Sequence, residues 1–192
     1  MKKFLTILMA LLMLLTLCAC GNDEAVTPDG MKAAGKAGGN EAVQFSFFYP
    51  EEWELIRDTG TIELKFDCDE SEARAVYATI TVVAFDLKSS EADMKARDYW
   101  NDRHKDEVEG IYDDFKILNG EGDETKLGGT VALKVKYQGK INKVSYYNEQ
   151  IICCRNGSVY FLTLVVPEEC KDKVKGSLER VAKDFEFDEA IF

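Results

Sequence analysis

The chain has 192 residues, with 24 basic and 35 acidic side chains and a net charge of -11. Hydrophobic residues make up 46% and charged residues 31%, a globular composition that excludes a disordered or collagen-like chain. The acidity excludes a general nucleic-acid binder, and a single histidine, His104, excludes poly-histidine metal sites.

Lys2 and Lys3 give the chain a basic start. Phe4 to Leu17 follows, a run that is apolar except for Thr6 and Thr16. A bilayer-spanning helix needs ~20 apolar residues, so this run has the length of a secretory signal rather than an anchor. It ends in Leu17-Cys18-Ala19-Cys20-Gly21, which is similar to a bacterial lipobox: apolar at minus three, small at minus one, Cys at plus one. Residues 1–19 are therefore expected to be a lipoprotein signal peptide, cleaved before a Cys20 that carries fatty-acyl (palmitate-type) lipid. A diacylglyceryl group supplies two chains, which anchor stably where one does not. The expected location is extracytoplasmic, held to a bacterial membrane through Cys20.

Residues 20–43 are read as the lipidated Cys and a flexible tether. Gly21, Gly30, Gly35, Gly38, Gly39 and Pro28 fall there without periodicity, and such a linker spans about 25 Å. Residues 44–192 then form one domain, large enough to bury a core without disulfide staples. Phe45 to Tyr49 reads as an aromatic strand, Pro50 to Glu52 as a turn, and Glu54 to Arg57 as a strand pairing back. Thr61 to Phe66 alternates Ile62, Leu64 and Phe66 with Glu63 and Lys65, so one face is buried. Ala75 to Phe85 is a β-branched strand. Ser90 is placed as the cap of a helix whose face carries Ala92, Ala96, Trp100, His104 and Val108, followed by Ile111.

Thr130 to Tyr137 and Ile141 to Cys154 read as strands, with Gln138-Gly139-Lys140 as the turn between them. Asn156-Gly157 is a strong hairpin signal. Val159 to Val166 is apolar at both parities, a strand covered on both faces. Pro167 opens the last helix, with Cys170, Val174, Leu178, Val181 and Phe185 as its apolar stripe. Hairpin-linked strands with two helices predict an α+β fold, an antiparallel β-sheet flanked by helices.

Phe45-Ser46-Phe47-Phe48-Tyr49-Pro50 followed by Trp53, and the ending Leu178, Val181 and Asp184-Phe185-Glu186-Phe187, resemble the two ends of PsbP-like domains. The resemblance implies an αβα sandwich in a bacterial lipoprotein and carries over no catalytic residues.

The chemistry on offer is sparse. His104 sits on an apolar helix face between Trp100 and Val108 and is expected to be a half-buried packing residue. Cys68, Cys153, Cys154 and Cys170 lack metal or redox spacing and are expected to be free buried thiols. Cys153 and Cys154 point to opposite sheet faces and do not easily bond each other, so the alternative, a disulfide, would join Cys170 on its helix stripe to one of them. The acidic groups Asp67, Asp69, Glu70 and Glu121, Asp123, Glu124 lack EF-hand spacing and are read as solvated faces. No nucleophile elbow, phosphate loop, zinc-protease or dinucleotide motif occurs, so neither an enzyme nor a cofactor is expected.

The sharpest feature is a charge reversal. Residues 125–148 hold no acid but Lys126, Lys134, Lys136, Lys140 and Lys143. Lys134, Lys136, Lys140 and Lys143 are the candidate binding residues for an anionic partner: a phosphate-rich envelope polymer, lipid headgroups or an acidic protein. The competing reading is edge-strand protection. The expected function is a membrane-anchored, non-catalytic binding or accessory module of the envelope. The alternative is a solute-capturing lipoprotein with a pocket between sheet and helix, although two tightly apolar helices predict a filled core.

Overall fold

The structure, a computed structural model, describes residues 27–34, 45–58, 61–68 and 76–187. The expected signal peptide (residues 1–19), Cys20, Asp69 and Glu70 lie outside the described residues.

The strands are β1 (Met31–Ala34), β2 (Phe45–Pro50), β3 (Glu54–Asp58), β4 (Thr61–Asp67), β5 (Tyr77–Asp86), β6 (Asp113–Ile117), β7 (Asp123–Leu127), β8 (Thr130–Ile141), β9 (Val144–Arg155), β10 (Ser158–Pro167) and β11 (Glu186–Phe187). Helix α1 covers residues 96–109, and helix α2 covers Ser177–Lys183. An antiparallel eight-stranded sheet runs β3-β4-β5-β10-β9-β8-β6, with β7 also on β8, and β1-β2-β11 form a separate three-stranded sheet.

Two apolar layers sandwich the large sheet. One face carries Ile80, Leu162, Leu164, Ile151 and Cys153 and is covered by β2, α2 and the 3-10 turn Glu168–Val174. The other face carries Val135, Tyr137, Ile152, Val159 and Phe161 under α1. Strand β10 is thus apolar at both parities because it has a layer on each side. The expected αβα order holds.

Several local expectations change. Met31–Ala34, read as tether, pairs antiparallel with β2 from Met31↔Pro50 to Ala34↔Phe47, so the folded part reaches back past Gln44. Strand β3 pairs with β4, not back onto β2. Ser90 lies in a short 3-10 turn, and α1 starts at Ala96 behind Lys95 with no side-chain cap. Ile111, beyond the helix end, is exposed.

Helix α1 contains a π turn at Trp100–His104. Its buried residues stand four apart, and each such step drifts about 40° around an ideal α-helix of 3.6 residues per turn. The wider π turn takes up that drift. Ala96, Trp100 and Val108 therefore all stay buried on the sheet.

The β8–β9 turn falls at Asn142 and Lys143, both at positive φ, and not at residues 138–140. Gly139 is inside β8, paired with Tyr146, and glycine is needed there because a Cβ would meet Tyr112 Cβ at 2.5 Å. Asn156 and Gly157, also at positive φ, make the turn that their sequence predicts. The last helical stripe is broken by Gly176 at φ 79 into a 3-10 turn and α2, but Cys170, Val174, Leu178, Val181 and Phe185 all stay buried in one cluster.

Candidate functional site

The four candidate lysines separate into two groups. Lys134 and Lys136 lie on β8 at the same parity and face the α2 side of the sheet. Their partner is Glu149 on β9, a largely buried carboxylate whose side chain is 10% exposed. Lys134 Nζ stands 2.8 Å from Glu149 Oε2 and also pairs with Glu179 of α2. Lys136 Nζ is 3.7 Å from the same Glu149 oxygen. Tyr147 donates its hydroxyl to Glu149 Oε1 at 2.7 Å. Lys171 lies over the Tyr147 ring at 3.9 Å.

Burial alone would discharge Lys134, whose side chain is 12% exposed, but hydrogen bonds to Glu149 and Glu179 outweigh it and raise its pKa. Burial works against the Glu179 charge in the same way. The Lys134 hydrogen bond again wins and lowers the Glu179 pKa. Tyr147 is pushed up, by burial first and then by its bond to Glu149. A cleft of about 280 Å³ opens over this group, between Lys136, Tyr147 and Glu149 on the sheet and Lys171, Gly176 and Glu179 opposite.

Lys140 and Lys143 form the other group. Lys140 Nζ bonds Asp114 Oδ2 at 2.6 Å, which raises the lysine and lowers the aspartate. Lys143 is exposed in the hairpin turn. The hairpin outruns its neighbour: β10 ends with Pro167 opposite Tyr146, while β8 and β9 pair on to Ile141↔Val144. A polar cleft of about 450 Å³, walled by Asp114, Gln138, Lys140, Ser145 and Tyr146, lies beside this tip.

A larger cleft was not legible in the sequence. About 610 Å³ in volume, it is lined by Met94, Ala96, Asp98, Val131, Leu133 and Cys154. It exists because α1 begins six residues after Ser90, so the non-helical stretch 92–95 arches over the end of β8 instead of packing down as helix. The expected filled interface holds beneath α1 itself, but not at its start.

His104 packs its ring 4.6 Å from Phe161 and 5.9 Å from Trp100, with Nδ1 3.3 Å from Glu107 Oε2. Its Nε2 is buried without a partner, as are Asn148 Nδ2 and Gln150 Oε1 on the same sheet face. All four described cysteines are thiols. Cys153 and Cys154 face opposite layers. Cys170 shares one buried cluster with Cys68 and Cys153, and it is the Cys68 thiol whose pKa it raises. Among the described residues, no group of three or more His, Cys, Asp or Glu is placed to hold a metal. No described helix is long and apolar enough to cross a membrane.

An antiparallel sheet with α1 on one face, and α2 with a small accessory sheet on the other, is a PsbP-like α+β fold. Three solved structures share it. The solution structure of cyanobacterial PsbP (CyanoP) from Synechocystis superposes with a TM-score of 0.56 at 14% identity, covering 86% of this chain and 97% of that one. LpqN of Mycobacterium tuberculosis, described as involved in cell envelope biogenesis, has a TM-score of 0.51 at 12% identity over 82% of this chain and 91% of its own. A Bacteroides thetaiotaomicron protein has a TM-score of 0.50 at 15% identity over 76% of this chain, which spans only 45% of that protein. At these identities the likeness is one of fold. No family model and no curated protein matches the sequence.

Proposed function

We propose that this chain is a lipid-anchored, extracytoplasmic accessory module of a bacterial cell envelope that binds an anionic envelope component and performs no chemistry on it. The observation that carries the reading is the β8–β9 tip, which runs past the end of β10 and presents Lys140 and Lys143 beside a polar cleft. Lys134 and Lys136 leave the proposed contact surface, because they pair around the largely buried Glu149, whereas the Lys140–Asp114 pair is exposed and screened by solvent. Placement in the envelope is supported by the lipobox-like Leu17-Cys18-Ala19-Cys20 and by the fold shared with LpqN.

The test uses the Cys20→Ala chain, which lacks the lipid site, sedimented with isolated envelopes. Each lysine near an anionic surface adds ~1 kcal/mol. Lys140→Glu with Lys143→Glu is therefore expected to weaken binding roughly 25-fold or more. Binding of the parent chain should fall as salt rises. Equal binding by both proteins, or binding indifferent to salt, would overturn the reading. The anchor is tested separately: incorporation of labelled fatty acid should vanish in Cys20→Ala, and persistence would exclude lipidation there.

A second reading has its own observation, the cleft of about 610 Å³ with apolar walls and charged rims. A small amphiphilic ligand there would raise the melting temperature of the parent chain and not that of Val131→Arg. A panel of metabolites that shifts neither protein, or shifts both equally, would sink it.

A further inference from the structure

Cys68 directly follows β4, and Cys170 lies in the turn Glu168–Val174. They are 102 positions apart in sequence, yet they share one buried cluster, at 3% and 4% exposure. The Cys170 side chain is near enough to Cys68 to raise its pKa, while Cys68 Sγ itself lies 4.0 Å from the Phe66 carbonyl oxygen. The same two segments are tied a second time, by Lys173 Nζ donating to the Cys68 carbonyl oxygen at 2.5 Å. The groups that shift the Cys153 thiol include Cys154 and Arg155 but neither Cys68 nor Cys170. Cys154 stands in the cleft on the opposite face of the sheet.

We propose that Cys68 and Cys170 are a redox pair, joined into an intramolecular disulfide by exchange with a disulfide oxidant, and that the bridge fastens the turn walling the Glu149 cleft. One thiol loses its proton and attacks a sulfur of R–S–S–R, expelling R–S⁻ and leaving a mixed disulfide. The second thiol, deprotonated in turn, attacks the protein-side sulfur and expels the other R–S⁻. The two leaving thiolates take up the two protons. The protein sulfurs lose two electrons in total, and the oxidant becomes two R–SH.

Burial favours the product. A disulfide has no donor to satisfy, so it replaces two thiols in an apolar layer without stranding a polar group. Burial also slows the reaction. The Cys68 thiol is pushed up to about 12, by burial first and then by the neighbouring Cys170 thiol. Little thiolate exists at neutral pH, and exchange must wait for local opening of the turn. Oxidation is therefore slow and speeds up as pH rises. The turn also carries Lys171 over Tyr147 and contributes Asp172 and Val174 to the cleft wall, so a bridge at Cys170 bears directly on that wall. The exchange is tested on purified protein, so it does not rest on the location proposed above.

The experiment incubates the full purified chain with oxidised or reduced glutathione, quenches with acid, alkylates after denaturation and maps the peptides. Among Cys68, Cys153, Cys154 and Cys170, the oxidised sample should contain one cross-linked peptide pair, Cys68 to Cys170, two hydrogens lighter than its reduced parts. Cys153 and Cys154 should remain alkylated. The melting temperature should rise on oxidation and return with reductant. Cys68→Ser should abolish both the cross-link and the rise, and Cys154→Ser should keep both. Full alkylation of Cys68 and Cys170 in the oxidised sample would overturn the proposal, as would a bridge from Cys170 to Cys153 or Cys154. Both results come from the parent chain and need no variant to fold.

Discussion

Glu149→Gln removes one negative charge and little volume, so its cost isolates the ion-pair group from packing. Glu149 faces Lys134 at 2.8 Å, Lys136 at 3.7 Å and the Tyr147 hydroxyl at 2.7 Å. The Glu149 and Lys134 side chains are only 10% and 12% exposed, so solvent screens their attraction weakly. Removing one partner of a buried pair costs ~3–5 kcal/mol, because the other charge is left uncompensated. Here Lys134 keeps Glu179, and glutamine still accepts from Tyr147, which brings the expected loss down to about 2–3 kcal/mol. In urea that is a midpoint lower by about 1 M, at a slope of ~2 kcal/mol per molar. By contrast, Lys136 is 33% exposed and sits at the longer distance. Lys136→Met should therefore cost less than ~1 kcal/mol. Urea unfolding followed by tryptophan fluorescence measures both variants. If Glu149→Gln unfolds within about 0.5 kcal/mol of the parent, or Lys136→Met costs as much as Glu149→Gln, burial is not what gives this group its strength.

Three other outcomes follow from the same geometry. The Glu179 pKa is lowered from its ordinary 4.5, so its pairing with Lys134 stabilises the fold above that value and is lost as pH falls through the folded value. Glu179→Gln should therefore be less stable than the parent at pH 7 and indistinguishable from it in acid, and a gap that widens in acid would contradict the sign. Gly139→Ala should cost ~1–3 kcal/mol, since its Cβ would press on Tyr112 at 2.5 Å. An unchanged urea midpoint would show that Tyr112 moves aside freely. Native alkylation should reach Cys154, in the large cleft, before the fully buried Cys153, at a rate climbing with pH because burial pushes the Cys154 thiol up to about 11. Peptide mapping that finds Cys153 modified first would mean the cleft is closed.

What the sequence determined by itself is the local and periodic part of this fold. Alternation in Thr61 to Phe66 assigned the buried face of β4, and Ile62 and Leu64 are buried. Asn156-Gly157 made its turn, and the spacing of Cys170, Val174, Leu178, Val181 and Phe185 survived even the break at Gly176. These features are legible because a side chain's direction is set within one or two turns of its own backbone. The tertiary structure decided everything that required knowing what lies opposite. Gly139 resembles a turn residue in sequence, yet it sits within a strand, and it is a glycine because Tyr112, 27 positions earlier, comes too close for a Cβ. Lys134 belongs to a basic run in sequence, yet it is neutralised from β9 and from α2, the latter 45 residues away. Cys170 shares a stripe with its helical neighbours, yet it packs in one buried cluster with Cys68, 102 positions earlier. Period tells which residues share a face but not which element covers it. Charge pairing, thiol pairing and clefts are properties of two faces meeting, and these meet only when distant segments pack.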